Sequence, residues 1–159
     1  MIFKYIGCAL ILIFALVVSK EYKVFSGSRV SRLSEYLDFL SHIERRISTA
    51  LLPQHRLVDG FSSKALEESF LPKLRECGEL YSAYESAGGG LCDTAHKILL
   101  SYFADFGKSD REGELSRVRE AMARLRPVFE DERSASEKNI KLFETVAVAV
   151  ALGLIILLI

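Results

Sequence analysis

Histidine and cysteine side chains are the first candidates for chemistry in this chain. Cys92 and His96 stand four positions apart, a spacing that places two metal ligands on one face of a helix. Cys77 alone does not complete a tetrahedral site with them, and His42 and His55 fall on other predicted elements. Buried thiols and surface histidines explain the same residues, so we expect no metal site.

Nucleophilic, acid–base and phosphate-binding patterns are equally weak. The serines include no Gly-x-Ser-x-Gly elbow. Asp110, Glu112 and Glu114 open a predicted helix, where acidic residues favour the helix dipole, so we interpret them as structural. The glycines at 88–90 are followed by Leu-Cys-Asp and not by Gly-Lys-Ser/Thr after a strand, so they form no P-loop. The sequence therefore predicts a protein that is not an enzyme and binds no cofactor.

Length and charge limit the kind of protein further. The 159 residues allow one modest domain between membrane segments. Lys and Arg together number 21, as do Asp and Glu, so the net charge of zero argues against a nucleic-acid partner. The three cysteines show no regular spacing, which fits a reducing compartment, with a Cys77–Cys92 bridge as the alternative.

The C-terminal apolar segment is the strongest feature of the sequence. Residues 145–159 carry no charge. A helix of about 15 to 18 residues rises about 23 to 27 Å, the short end of what crosses a hydrocarbon core about 30 Å thick. Lys138 and Lys141 flank it, and a lysine can extend to the interface. We predict a transmembrane helix over residues 138–159, with a buried core helix as the alternative.

The N-terminal segment predicts a second transmembrane helix, over residues 1–19. Residues 2–18 are apolar apart from Lys4, and Lys20 and Lys23 follow the segment. A cleaved secretory signal is the alternative. A lipoprotein signal at Cys8 is disfavoured because the apolar core follows this cysteine instead of preceding it.

Basic residues also predict the orientation of the two spans. They border both spans on the side of the middle segment: Lys20, Lys23, Arg29 and Arg32 after the first, and Arg133, Lys138 and Lys141 before the second. Beyond the spans there is only Lys4 with the amino terminus. The positive-inside rule therefore places the middle segment in the cytoplasm and both termini outside.

The middle segment, residues 26–137, reads as a small helical bundle. Serine and glycine at 26–28 predict a break before its first helix. That helix carries an apolar stripe at three-and-four spacing: Val30, Leu33, Leu37, Leu40, Ile47 and Leu51. Glu44 falls within this stripe, either at a solvated edge or as a carboxylate that faces a partner or bridges the bundle.

Capping and breaking residues divide the rest of the segment into further helices. These residues are Pro53 as an end or start, Ser62 and Ser63 as caps, Pro72 with a break or kink near Leu71, Asp93 as a cap, Gly107 as a stop and Pro127 as a kink. Residues 130–141 are polar nearly all round and predict an exposed stalk. Strand-like alternation is missing from the sequence, so the predicted fold is all-α.

Four stretches in order resemble the stage III sporulation protein AB family. They are the opening KYIGCALI at 4–11, the pattern LxxIExxI at 40–47 with Pro53 beyond it, the group Tyr102, Phe106, Gly107 and Asp110, and KNIKLF at 138–143 with the closing IILLI. The likeness covers nearly the whole chain. Arg46 stands where the family has a second glutamate, and the glycines at 88–90 match nothing in the family pattern.

The resemblance implies a part in the channel that joins mother cell and forespore. The soluble domain of the family is similar to the cytoplasmic domain of type II secretion F proteins. By this analogy the chain would couple a cytosolic ATPase, stage III sporulation protein AA, to membrane subunits of the channel, in the mother-cell membrane around the forespore. Glu44, Arg46 and Asp110 are the candidate partner-binding residues. The rival interpretation is an extracytoplasmic helical protein with a cleaved signal and a C-terminal anchor.

Overall fold

Helices make up most of the part of the chain that the structure describes. The computed structural model describes residues 2–49, 53–88 and 90–158, with side-chain surroundings for 17–18, 20, 27–49, 53–54, 56–88, 90–150 and 152–153. Over these residues the order is α1 (Ile2–Thr49), a 3-10 helix (Gln54–Arg56), α2 (Lys64–Glu67), α3 (Phe70–Cys77), α4 (Leu80–Ala87), α5 (Asp93–Asp105) and α6 (Arg111–Leu158). No strand occurs among them, so the predicted all-α fold is confirmed.

The helices divide into two compact units. The first unit combines Met1–Ser28 with Glu132–Ile159, and the second is Arg29–Asp131, called the helical domain below. The long helices α1 and α6 each contribute residues to both units. Within the helical domain α2 packs on α3, α3 on α4 and α4 on α5.

An apolar stripe of α1 forms one wall of the core of the helical domain. Leu33, Leu40 and Ile47 are each at most 2% exposed, as their three-and-four spacing predicts. Five aromatic rings fill the centre of this core: Tyr36, Phe39, Phe70, Tyr84 and Phe103. The rings of Tyr36 and Phe70 meet with centroids 5.6 Å apart in a tilted arrangement, which aromatic pairs prefer to a face-to-face sandwich.

The predicted break at residues 26–28 is wrong. Helix α1 continues through these residues without interruption. A single glycine such as Gly27 costs a helix only about 1 kcal/mol relative to alanine. Because adding residues to an existing helix is much easier than starting a new one, this cost does not interrupt α1.

The stretch from residue 64 to 87 divides differently from the prediction. It forms three short helices, and the first interruption lies at residues 68–69 instead of near Leu71. Pro72 lies in the first turn of α3, where its missing N–H has no intrahelical partner to lose. Gly78, with φ of 74°, then ends α3, because the left-handed conformation suits glycine.

Two of the remaining predicted helix boundaries are confirmed, and a third is off by one position. Ser63 caps α2 as predicted, since its side chain accepts the N–H of Leu66 at 3.3 Å. Gly107, with φ of 84°, follows the end of α5 as predicted. The capping prediction for Asp93 is wrong by one position, because the residue before it has the extended backbone of the N-cap and Asp93 is the first helical residue. Helix α6 continues through Pro127.

Candidate partner-contact surface

The end of α1 and the start of α6 are tied together in the helical domain. The last carbonyls of a helix lack intrahelical donors and need partners from elsewhere. Arg111, the first residue of α6, supplies them: its Nε donates to the carbonyl of Ile47 at 3.0 Å, and its Nη2 donates to the carbonyl of Ser48. This double contact joins the C-terminal end of α1 to the first residue of α6.

Glu44 connects α1 to α6 through an ion pair. Its Oε1 accepts a hydrogen bond from Arg119 Nε at 2.6 Å. The Glu44 side chain is 26% exposed and that of Arg119 is 64% exposed. The Glu44 carboxylate therefore bridges two helices of the bundle, which was one of the predicted alternatives. It also remains partly accessible to solvent.

Arg46 lies on a different side of α1 from Glu44. Two positions on a helix turn by about 200°, so the two side chains leave α1 in nearly opposite directions. The Nη2 of Arg46 donates to the carbonyl of Arg56 at 3.3 Å, and its buried Nε has no hydrogen-bond partner among the described residues. The structure therefore does not bring Glu44 and Arg46 onto one face.

His42, one turn before Arg46, packs against the segment that follows the 3-10 helix. Its ring lies 5.3 Å from that of Phe61, and its buried Nε2 has no hydrogen-bond partner among the described residues. Burial and the positive charges of Arg46 and Arg45 lower the pKa of His42, while the nearby backbone of Leu57 and Asp59 acts against the shift. This imidazole is held in a setting that favours its neutral form.

Asp110 is the N-terminal cap of α6. Its Oδ1 accepts the backbone N–H of Gly113 at 3.1 Å, and its carbonyl accepts the N–H of Glu114 at 2.9 Å. A side-chain oxygen at this position satisfies a donor that the first turn leaves free. The predicted start of the helix near Asp110 is confirmed, and its carboxylate supports the fold while remaining exposed.

Glu114 is a buried carboxylate whose burial was not predicted from the sequence. It is 1% exposed, and its Oε1 accepts the N–H of Gly107 at 3.0 Å and that of Ser109 at 3.1 Å. Its buried Oε2 and the buried hydroxyl of Tyr102 have no hydrogen-bond partner among the described residues. Burial, with the charge of Glu114, raises the pKa of Tyr102 well above its usual range.

A signal for the burial of Glu114 was present in the sequence. The residue stands four positions before Val118 and eleven before Leu125, both of which are buried. This spacing puts a carboxylate on the apolar face of α6. The exposed Glu112, by contrast, fits the interpretation given to Asp110, Glu112 and Glu114 together, in which acidic residues in the first turn favour the helix dipole.

Cys92 and His96 lie one helical turn apart, and the backbone N–H of His96 donates to the carbonyl of Cys92 at 2.9 Å. His96 Nδ1 lies 3.1 Å from the hydroxyl of Tyr84, and Cys92 is the residue before the first turn of α5. Cys77 and Cys92 are free thiols. Within the described ranges no group of three His, Cys, Asp or Glu residues could hold a metal ion, and the side chain of His55 lies outside the described ones.

The predicted membrane-flanking lysines belong to the first unit. Lys20, Lys138 and Lys141 are exposed, whereas the side chains of Lys4 and Lys23 lie outside the described ones. Where the chain is described, none of its helices has both the length and the apolar character required to span a membrane. The two transmembrane helices remain predictions.

The C-terminal part of α6 nevertheless exposes large apolar side chains. Five of them are 52% to 67% exposed: Leu142, Val146, Val148, Val150 and Leu152. The last four follow one another at steps of two, and each step turns the helix by about 200°. Successive members therefore lie on opposite sides of α6, and the apolar surface is not confined to one face.

The fold and these contacts define a small all-helical protein whose long first and last helices are joined by charged and capping contacts in the helical domain. The chain belongs to the stage III sporulation protein AB family, whose model matches residues 4–159. The recognition from the four sequence stretches is thereby confirmed, and the process in which this family acts is sporulation. Neither the comparison with curated proteins nor the one with solved structures found a match.

Proposed function

We propose that this chain is a non-enzymatic membrane component of the channel between mother cell and forespore. In this proposal it couples a cytosolic ATPase, stage III sporulation protein AA, to other membrane subunits. Membership of a sporulation family supports the process. The observation that carries the membrane part is the set of exposed apolar side chains on opposite sides of the C-terminal part of α6.

A helix with exposed apolar side chains on opposite sides is more stable in the hydrocarbon core of a membrane than in water. Exposed apolar surface costs about 25 cal/mol per Å² in water. A protein partner in a groove covers one face of a helix, whereas lipid tails cover all of them. The sequence of α6 carries no charge between residues 145 and 158, which supports the same conclusion.

The helical domain is the part that would meet the ATPase. Its two long helices are joined by Arg111 and by the Glu44–Arg119 ion pair, so it offers a rigid surface for docking. The partly exposed Glu44 carboxylate is the candidate contact on that surface. The cytoplasmic position of this domain rests on the basic residues that border both apolar segments.

The native Cys77 offers a direct test of this orientation. Its thiol is exposed in the helical domain and free. In a variant with Cys8→Ser and Cys92→Ser, a membrane-impermeant maleimide should label Cys77 in inside-out vesicles and leave it unlabelled in right-side-out vesicles. Adding Cys77→Ser should abolish the labelling in both preparations.

The opposite pattern would overturn the proposal. Labelling in right-side-out vesicles, together with a mature chain that has lost residues 1–19, would support the extracytoplasmic protein with a cleaved signal. Release of the full chain from membranes by alkaline carbonate would remove the membrane assignment itself.

Binding of the full chain in lipid nanodiscs to purified stage III sporulation protein AA tests the coupling. Glu44→Arg should abolish binding, because it places a second cation beside Arg119 and removes the accessible carboxylate. Glu68→Arg is the matched control, since it makes the same charge change at an exposed site on another part of the domain. Equal binding by wild type and Glu44→Arg would exclude this contact, and no binding by the wild type would exclude direct coupling.

A further inference from the structure

Two cavities lie along the line where α5 and α6 meet in the helical domain. One has a volume of about 210 Å³ and the other of about 600 Å³, and they share Ile98 and Arg124 in their linings. Together they form what we call the α5–α6 groove, defined by Lys97, Ile98, Ala121, Arg124, Pro127 and Val128. Since Arg119 does not line it, the groove is separate from the Glu44 contact.

The groove is preformed, because the helices that border it are fixed by the core. Leu99 and Phe103 of α5 are at most 2% exposed, and so are Val118 and Leu125 of α6. A surface carried by such helices needs little rearrangement to receive a partner.

The charges of the groove differ between its two ends. The larger cavity has an apolar floor that includes Ile98 and Val128, and its charged lining residues are Lys97 and Arg124. Both are exposed, and Lys97 makes no ion pair within the described residues. Arg124 lies 3.8 Å from Glu120, at the side of the smaller cavity. The larger cavity therefore combines an apolar floor with two exposed cations, and Lys97 is the one of the two that has no ion-pair partner among the described residues.

The backbone of α6 adds a hydrogen-bond acceptor at the same place. Pro127 has no N–H, so the carbonyl of Ala123 receives no intrahelical hydrogen bond from the residue four positions later. Ala123 and Pro127 are exposed and both line the larger cavity. A carbonyl without its usual intrahelical donor therefore belongs to a residue that lines this cavity.

We propose that the α5–α6 groove docks an acidic amphipathic helix of a partner protein. Apolar side chains of that helix, three and four positions apart, would fill the larger cavity, and its carboxylates would meet Lys97 and Arg124. A membrane of anionic lipid is the less suitable occupant, because the smaller cavity carries both signs, with Asp105 and Glu120 beside Arg117 and Arg124, so the excess of positive charge is confined to the larger cavity. A single helix can place its carboxylates at that cavity alone, whereas a lipid surface is negative over its whole extent. The inference does not depend on the proposed coupling to an ATPase.

A peptide-display selection on the full chain in mild detergent tests the proposal. A library of helical peptides is selected against the wild type and against Lys97→Glu/Arg124→Glu. Lys64→Glu/Arg126→Glu is the matched control, because it makes the same charge change at exposed positions that do not line the groove. Circular dichroism checks that all three proteins are equally helical.

We expect the wild type and the control to enrich acidic peptides with apolar residues at helical spacing, and the groove variant to lose them. By fluorescence anisotropy, an enriched peptide should bind the groove variant at least about tenfold more weakly than the wild type. Replacing its glutamates by lysines should restore binding to that variant.

Three outcomes would overturn the inference. The wild type could enrich no peptide above detergent alone, or the enriched peptides could bind the groove variant as tightly as the wild type. Alternatively, vesicles of phosphatidylglycerol could bind the wild type and displace the peptide. If Lys97→Glu/Arg124→Glu abolished this vesicle binding, lipid would be the occupant of the groove.

Discussion

The carboxylate of Glu114 accepts the backbone N–H of Gly107 at 3.0 Å, across the turn that joins α5 to α6. Gly107 has φ of 84°, a conformation that glycine adopts without a steric penalty. Asp110 lies between the two residues and caps α6 through Gly113. Gly107 and Asp110 thus have complementary roles in the turn between α5 and α6. Gly107 adopts the positive φ of the turn and Asp110 caps α6, so that the buried Glu114 carboxylate can bind the backbone of the turn.

We expect Glu114→Ala to destabilise the protein by about 2 to 4 kcal/mol, because it removes the charged acceptor of two part-buried backbone hydrogen bonds. Glu114→Gln should lose less, since its amide oxygen can still accept. Thermal unfolding of the full chain in detergent, followed by circular dichroism, measures the change. Glu112→Ala, at an exposed position of the same turn, is the control and should stay near the wild type. Equal stabilities for the two alanine variants would contradict the assignment.

Two helical glycines should respond in opposite ways to alanine. A Cβ at Gly113 would lie 2.7 Å from Asp110 Oδ1 and 2.9 Å from Ser109 Cβ, so the cap must shift. At Gly27 a Cβ meets nothing within 4 Å, and alanine is favoured over glycine in a helix by about 1 kcal/mol. Gly113→Ala should therefore lower the melting temperature, and Gly27→Ala should keep or raise it. A higher melting temperature for both variants would show that the N-terminal cap of α6 can shift without loss of stability.

Local sequence patterns were enough for the helix content, the core stripe of α1, the cap at Ser63 and the start of α6 near Asp110. They were not enough for contacts between distant helices. Glu35 of α1, for example, accepts the N–H groups of Ala65 at 2.8 Å and Leu66 at 3.3 Å, and so caps α2 from outside. Such a partner depends on how the helices pack in three dimensions, and no spacing along the chain encodes it.

The Glu44–Arg119 pair is another contact of that kind, and its strength can be measured directly. A double-mutant cycle with Glu44→Gln and Arg119→Gln should give a coupling of about 0.5 to 1 kcal/mol, because Arg119 is largely exposed and water weakens the attraction. The coupling should shrink at high salt. Additive effects of the two substitutions would mean that the pair does not hold α1 to α6.

The same variants separate the two roles of Glu44. If Glu44 supports binding of an ATPase only by holding α6, then Arg119→Gln should weaken that binding as much as Glu44→Gln does. If the carboxylate itself meets the partner, Arg119→Gln should leave binding nearly unchanged. Parallel binding assays on the two variants, with unfolding curves alongside, distinguish these cases.

His42 should make the stability of the helical domain depend on pH. Its pKa is lowered in the folded chain by burial and by the nearby Arg46 and Arg45, so the unfolded chain binds its proton more readily. The unfolding free energy should therefore rise with pH between the lowered pKa and the unfolded value of 6.5, and level off above it. Acidification from about pH 7.5 to about pH 5.5 should lower the melting temperature of the wild type more than that of His42→Gln, which cannot take up the proton. Equal pH dependence in the two proteins would show that another group is responsible.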